Sequence, residues 1–227
     1  MRLAGKTAIV TGGTGGLGSV IVQRFVREGM NVVITARGKE AVPPGVEVLN
    51  LDVTVENDVL ELFRASLSKH GSVDVLVNTV GGFLPEKNIA DVTLDDWQHM
   101  MSINLLSTFL CTREGIRAMM GRKFGRIINI SALSGLQPTP GKAPYSIAKA
   151  GVALLSELAA REVKGTGITV NAIAPGIIVT EANKSSMPKA DISRWVTPDE
   201  IADSVCYLCS ESGGAISGTT LKLFGGL

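Results

Sequence analysis

A doubly wound α/β fold, one parallel sheet of about seven strands with helices on both faces, is what this chain predicts. Three observations carry that expectation. Strand-like and helix-like segments alternate from end to end. The strand segments IVTG, VVIT, VLVN and IINI are apolar with little alternation, the pattern of parallel strands covered on both faces. A glycine-rich turn, TGGTGGLG, joins the first strand to the first helix. Alternating strand and helix around a parallel sheet is the doubly wound arrangement. The 227 residues contain no linker, repeat or low-complexity run and fit a single domain, residues 1–227.

The first strand reads TAIVTG, and the first helix runs from Leu17 to Glu28 and ends at Gly29, a residue type suited to the turn after a helix. NVVITA is the second strand. The stretch RGKEAVPPGV that follows is too short and too broken by proline for a full helix. VEVLNLDV is the third strand, and Val55 to His70 form a helix capped by Gly71. VDVLVNTVGG is the fourth strand. One long helix is expected from Leu94 to Met120, opened by Thr93 with Asp95 and Asp96 in its first turn, where oxygen acceptors and negative charge suit the free amides. GRIINISA is the fifth strand, Tyr145 to Lys164 a helix, and GITVNAIAP the sixth strand. Pro198 to Ser210 is a helix with proline at its first position, and TTLKLFG is the last strand.

Composition narrows the function classes. Hydrophobic residues make up 45% and charged residues 19%, the balance of a globular chain. The net charge is +1 without a Lys/Arg cluster, and aromatics are only 4%, so no nucleic-acid or membrane partner is implied. No apolar run reaches the roughly 18 residues of a membrane span. The first strand begins almost at once, which leaves no room for a leader. The expectation is a soluble, cytoplasmic protein. Cys206 and Cys209 form a CxxC, but no second Cys/His pair with metal spacing accompanies it. They read as core cysteines one turn apart, with no metal site and no disulfide scaffold. His70 and His99 read as surface or helix-end residues.

Chemistry enters with Tyr145 and Lys149 in YSIAK. Residues four apart on a helix share a face, so phenol and ammonium point the same way. A nearby cation lowers a phenol pKa from its usual value of about 10, which is expected to make this tyrosine an acid or base near neutral pH. In TGGTGGLG, glycines between strand and helix let backbone amides approach a pyrophosphate at the positive helix end. The two features together predict proton transfer beside a bound dinucleotide.

With these motifs the chain resembles the short-chain dehydrogenase/reductase family, of the single-domain ketoreductase-like type, over nearly its whole length. The family's TGxxxGxG matches Thr11 to Gly18, its YxxxK matches Tyr145 and Lys149, and its helix-borne asparagine matches Asn104 in INLLSTF. Its PG turn and following threonine match Pro175, Gly176 and Thr180 in PGIIVT, and its adenine-side aspartate matches Asp52 in LDVT. The resemblance implies a Rossmann-like fold and a nicotinamide dinucleotide. Its phosphates would meet Gly12, Thr14, Gly15, Gly16, Leu17 and Gly18. Its adenine would meet Asp52 and Val53, and its ribose and nicotinamide Asn78, Val80, Gly81, Tyr145, Lys149, Pro175, Gly176, Ile178 and Thr180. The second strand ends in Ala36-Arg37 with no acidic residue, and a guanidinium suits a 2′-phosphate, so NADP(H) is expected over NAD(H). The resemblance also implies catalytic roles: Tyr145 as general acid/base, Lys149 on the ribose, Asn104 in a proton relay, and a small-molecule carbonyl or alcohol as substrate.

Two departures qualify this. The family commonly reads SSxxG after the fifth strand with the second serine catalytic, whereas this chain reads Ser131-Ala132-Leu133-Ser134-Gly135. One alignment puts Ala132, without a donor, at the catalytic position; another slips by one residue so that Ser131 serves. Losing such a donor costs ~10²–10³ in rate. The alternative to an oxidoreductase is therefore a dinucleotide-binding regulatory or scaffold protein with lost or weak turnover. The family's NNAG appears as NTVG, with Thr79 in place of the inner asparagine. Finally, the helix from Tyr145 is apolar nearly all round, which needs covering on two sides and predicts a homodimer or homotetramer.

Overall fold

The computed structural model describes residues 3–36, 38 and 41–226. Its strands are β1 (Thr7–Thr11), β2 (Asn31–Thr35), β3 (Glu47–Leu49), β4 (Val75–Asn78), β5 (Gly125–Ile130), β6 (Ile168–Pro175) and β7 (Thr220–Leu223). They form one sheet in the order β3-β2-β1-β4-β5-β6-β7, every pairing parallel. The chain winds outward from β1 through β2 to β3, then crosses to β4 and winds the other way. That reversal leaves a crevice beyond the carboxyl ends of β1 and β4. The doubly wound fold expected from sequence is the fold observed.

The helices are α1 (Gly18–Arg27), α2 (Glu56–His70), α3 (Leu94–Met101), α4 (Ser107–Met119), α5 (Leu133–Leu136), α6 (Ala143–Glu162), α7 (Glu181–Ser186) and α8 (Pro198–Cys209). Successive strand residues feed opposite layers. Val10, Val75, Val77 and Ile128 pack with Phe25 of α1 and Val205 of α8. Ile9, Leu76 and Ile127 pack with Leu62 of α2, Cys111 of α4 and Ala159 of α6. Both faces are covered, which is why these strands carry no polar alternation. Cys206 and Cys209 lie in the first of these layers as the expected core pair. His70 ends α2 with Nε2 2.8 Å from Glu47 Oε2, and His99 is exposed. Among the described residues no helix is long and apolar enough to cross a membrane.

Three elements differ from the sequence expectation. β3 is only three residues long, not the whole of VEVLNLDV. The chain turns away from the sheet where Asp52 Oδ1 accepts from Thr54 N at 2.9 Å and Thr54 Oγ1 at 2.7 Å, and Asp58 Oδ2 accepts from Asp52 N at 2.8 Å. The run from Leu94 to Met119 is helical throughout, opened by the expected Thr93 with a capping box to Asp96, but Ser102–Leu106 is a π-helical turn between α3 and α4. The short helices α5 and α7 were not anticipated; pieces of four and six residues are too short to show a period.

A buried polar network ties the sheet to two helices. Asn78 Nδ2 on β4 donates to Asn129 Oδ1 on β5 at 2.8 Å and to Thr112 Oγ1 on α4 at 3.3 Å. Asn129 Nδ2 donates to Ser156 Oγ on α6 at 2.9 Å, and Ser156 Oγ donates to Val152 O at 2.8 Å. All four side chains are excluded from solvent. Truncating a buried hydrogen-bonded group costs ~1–3 kcal/mol when partners are left unpaired. Asn129→Ala is therefore expected to destabilise the protein by about that amount, read as a lower urea midpoint with an unchanged slope.

Candidate active site

The turn between β1 and α1 is built for close backbone approach. Gly12 has φ +65°, and a Cβ on Gly18 would strike the Gly12 carbonyl oxygen. Gly12 N donates to Thr35 Oγ1 at 3.0 Å and Gly13 N to Thr35 O at 3.1 Å, pinning the turn to β2. Thr14, Gly15 and Gly16 form its outward edge, while Leu17 and Gly18 are buried where α1 begins. The first amides of a helix lack intrahelical acceptors and carry its positive end, a place for an anion.

Two other segments face this turn. A Cβ added to Gly16 would lie 2.9 Å from Thr180 Cγ2, and one on Gly12 would lie 3.0 Å from Val80 Cγ2. Thr180 stands there because Pro175 ends β6, Gly176 N donates to Leu223 O at 2.8 Å, and Ile178 makes a parallel bridge with Val196. Thr180 Oγ1 then caps α7 by accepting from Asn183 N at 3.2 Å. Thr79, in place of the family's asparagine, donates through Oγ1 to Thr11 O at 2.5 Å and through its backbone N to Thr11 Oγ1 at 3.2 Å, so it laces the end of β4 to β1. Asp52 is exposed and Val53 buried beyond β3. Arg37, the residue behind the NADP(H) expectation, lies outside the described residues.

Tyr145 and Lys149 share one face of α6. Lys149 Nζ lies 5.9 Å from the Tyr145 ring centroid and donates to Ile130 O at the end of β5 at 2.8 Å. Burial pushes the Tyr145 phenol up to about 12 and pulls the Lys149 ammonium down to about 8. This corrects the expected direction for Tyr145: removal from water disfavours the phenolate, and an ammonium bonded to a carbonyl does not offset that. Asn104 sits in the π-helical turn. Its Nδ2 donates to Gly82 O at 3.0 Å and Met100 O at 3.1 Å, and its Oδ1 accepts from Gly82 N at 3.2 Å. The side chain thus clamps the segment after β4, and a Cβ on Gly81 would lie 2.8 Å from Asn104 Oδ1 and 3.2 Å from Lys149 Nζ. Tyr145, Lys149, Asn104 and Gly81 are brought together.

Asn78 is not. Its amide is turned into the core toward Asn129 and Thr112, so it joins strands rather than presenting its side chain to the crevice. Ser131 is likewise committed: its Oγ donates to Lys149 O at 2.7 Å, which points it at the backbone of α6. Ala132, 8% exposed, follows it. The sequence reading missed Phe83, whose ring meets Tyr145 edge to face with centroids 5.2 Å apart. The available signal was an aromatic directly after VGG in a chain with only 4% aromatics.

The class defined by this fold is a doubly wound α/β protein with a glycine-rich turn between β1 and α1 and a tyrosine-lysine pair on one face of α6. The short chain dehydrogenase family model matches residues 6–191, and the chain belongs to the short-chain dehydrogenase/reductase family of oxidoreductases. It is 35% identical over 240 residues to a 3-oxoacyl-[acyl-carrier-protein] reductase of Haemophilus influenzae, covering 99% of each chain. It is 33% identical over 247 residues to the reductase of that description from Synechocystis sp., covering 99% of this chain and 98% of that one. A solved structure described as ElxO with NADP bound is similar at a TM-score of 0.91 and 29% identity, covering 97% of this chain and 98% of that one.

Burial of the pair has a pH signature. Between pH 8, near the folded value for Lys149, and its ordinary 10.5, the unfolded chain binds a proton that the folded chain has released. Stability therefore rises with pH across that window, having been lowered below it by the buried ammonium. Tyr145 acts oppositely: between its ordinary 10.0 and about 12 the folded chain keeps a proton the unfolded one loses, so stability falls. Urea unfolding of the ligand-free protein is expected to show the rise between pH 8 and 9, before the buried thiols of Cys111, Cys206 and Cys209, all pushed up by burial, turn the trend downward, and Lys149→Met to flatten that rise.

Proposed function

We propose that this chain is an NADP-dependent oxidoreductase that interconverts an alcohol and a carbonyl. The observation that carries the reading is the gathering of Tyr145, Lys149 and Asn104 around Gly81, beside the glycine turn at the crevice. The residues present suit a dinucleotide: a Cβ at Gly16 would meet Thr180 Cγ2 at 2.9 Å, so glycine lets these two segments approach, and the amides that open α1 suit a pyrophosphate. When bound, the nicotinamide supplies or accepts the hydride. Supporting the choice of NADP are an NADP-bound structural neighbour and the residue type at position 37 of the sequence, an arginine where an acidic residue would favour NAD. The remaining phosphate, ribose and nicotinamide contacts are assigned to Gly12, Thr14, Gly15, Leu17, Gly18, Asp52, Val53, Val80, Pro175, Ile178 and Thr180.

The residues divide the work as follows. With its phenol held near 12, Tyr145 is protonated at neutral pH and is set to give its proton to a carbonyl oxygen during reduction. In the reverse direction it takes the proton back from the alcohol. Lys149, about 8, is mainly an ammonium at pH 7, placed to donate to ribose hydroxyls and to steady a developing phenolate. Asn104 holds the Gly81-Gly82 segment against Lys149. Ala132 contributes no donor, so Tyr145 alone orients the reacting oxygen.

One observation favours a second reading, a dinucleotide-binding regulatory protein with lost turnover. Ser131 is engaged with Lys149 O and so does not replace the donor that Ala132 lacks. Following NADPH oxidation with simple ketones separates the two. The oxidoreductase reading expects slow turnover by the unmodified chain and an increase of ~10²–10³ in Ala132→Ser. Tight NADPH binding with no turnover in either protein would support the regulatory reading. NADPH is expected to bind more tightly than NADH; the reverse order would remove the NADP assignment.

The chain is also assigned a homo-oligomeric, cytoplasmic state. Ile147, Leu154 and Leu158 of α6 are 46%, 57% and 49% exposed, and Leu106 and Phe109 beside α6 are 40% and 41% exposed. These form an apolar helix face for a second copy, making a dimer or tetramer. Sedimentation velocity is expected to give a dimer or tetramer, and Leu154→Glu to shift it toward monomer.

A further inference from the structure

The rim above Tyr145 is made by two segments, one following β4 and one preceding α6. They are strapped together. Lys87 N donates to Gly141 O at 3.0 Å, Lys142 Nζ pairs with Glu86 Oε1 at 3.2 Å, and Lys87 Nζ pairs with Asp96 Oδ2 at 2.6 Å. Phe83 stands at the inner end of this strap, on the Tyr145 ring, with Lys142 Nζ 5.7 Å from its centroid. Half of the Phe83 residue remains exposed while its ring lies against Tyr145.

The cleft that Phe83 and Tyr145 share is walled by the apolar Leu84, Val92, Met100 and Pro144 together with the charged Lys87, Asp96 and Lys142. Its two cations each face a carboxylate, so the rim is balanced in charge. Lys87 and its hydrogen bonds hold Asp96 at about 2, so that carboxylate stays ionised through the working pH range. An anion entering here has to displace a carboxylate and then lie beside it, which opposes its binding. Ala132, 8% exposed, offers no hydroxyl donor beside Tyr145's reaction partner.

Resting on the oxidoreductase reading, we propose that Phe83 is a specificity-determining residue and that the site takes an uncharged carbonyl compound with a flat, apolar body. The carbonyl oxygen reaches the Tyr145 hydroxyl, and the flat body covers the exposed half of Phe83. Aromatic contacts supply this preference: a pair of rings is worth up to ~1.5 kcal/mol beyond its area, or roughly tenfold in affinity. With one hydroxyl missing, that contact takes over part of the orienting work.

The test measures binding separately from turnover. The full chain with saturating NADP+ cannot reduce a ketone, so 2-tetralone and acetoacetate are titrated into that complex and followed by saturation-transfer NMR. 2-Tetralone is expected to bind at least about tenfold more tightly than acetoacetate. Phe83→Ala is expected to erase roughly tenfold of that preference while NADP+ affinity and circular dichroism stay unchanged, and Phe83→Tyr to retain it. Equal or tighter binding of acetoacetate, no binding of either ketone, or an unchanged preference in Phe83→Ala would overturn the proposal. If the 2-tetralone preference holds but NADPH is not oxidised by either the unmodified chain or Ala132→Ser, the specificity assignment stands and the oxidoreductase reading fails.

Discussion

The docking of α6 on the end of β5 is the constraint on which the site depends. Three consecutive residues make it, the last two of β5 and the one that follows. Asn129 donates to Ser156, the Ile130 carbonyl accepts from Lys149 Nζ, and Ser131 donates to the Lys149 carbonyl. Lys149 and Ser156 lie seven residues apart, two helical turns, so these bonds run along one face of the helix. Gly135 allows α5 to approach that face, since a Cβ there would lie 2.6 Å from Ala150 N. The helix cannot slide or rotate without breaking buried hydrogen bonds, and Tyr145 is carried on its first turn.

The same packing sets the protonation of the pair. Lys149 is buried and Tyr145 is partly buried, so the neutral amine and the neutral phenol are each favoured relative to solution. The two shifts run apart, from ordinary values close to each other to about 12 for the phenol and about 8 for the amine, on one face of one helix. Asn104 contributes from the opposite side. Its amide bonds to Gly82 and Met100, and the helix opens there into a π-turn instead of continuing its regular ladder. A local defect in one helix and a buried lysine in another therefore converge on Gly81.

Much of this was legible along the chain. The Tyr145–Lys149 spacing, the glycine turn and the alternation of apolar strands with helices are short-range patterns, and local patterns survive in sequence. The boundaries that shifted were those decided by partners distant in the chain. β3 stops where Asp52 and Asp58 turn it away, and α3 yields to the π-turn because of Gly82, 22 positions earlier than Asn104. Asn78 was grouped with ligand contacts by its place after β4, yet its partners Asn129 and Thr112 arrive from 51 and 34 residues away and take it into the core. Phe83 was passed over for a similar reason: nothing next to it in sequence announces Tyr145.

By itself the sequence determined the fold class, the family and the chemical identity of the reacting groups, because periodicity, turn chemistry and residue type are properties of neighbouring positions. It also determined that Ala132 has no hydroxyl to offer. The tertiary structure alone decided that Ser131 is spent on the Lys149 carbonyl, that Phe83 lies on Tyr145, and that burial raises the phenol instead of the nearby ammonium lowering it. Each of these depends on which distant segments exclude water from a group and which polar atom reaches it first. Those are consequences of packing in three dimensions, where desolvation and hydrogen bonding compete on every buried atom.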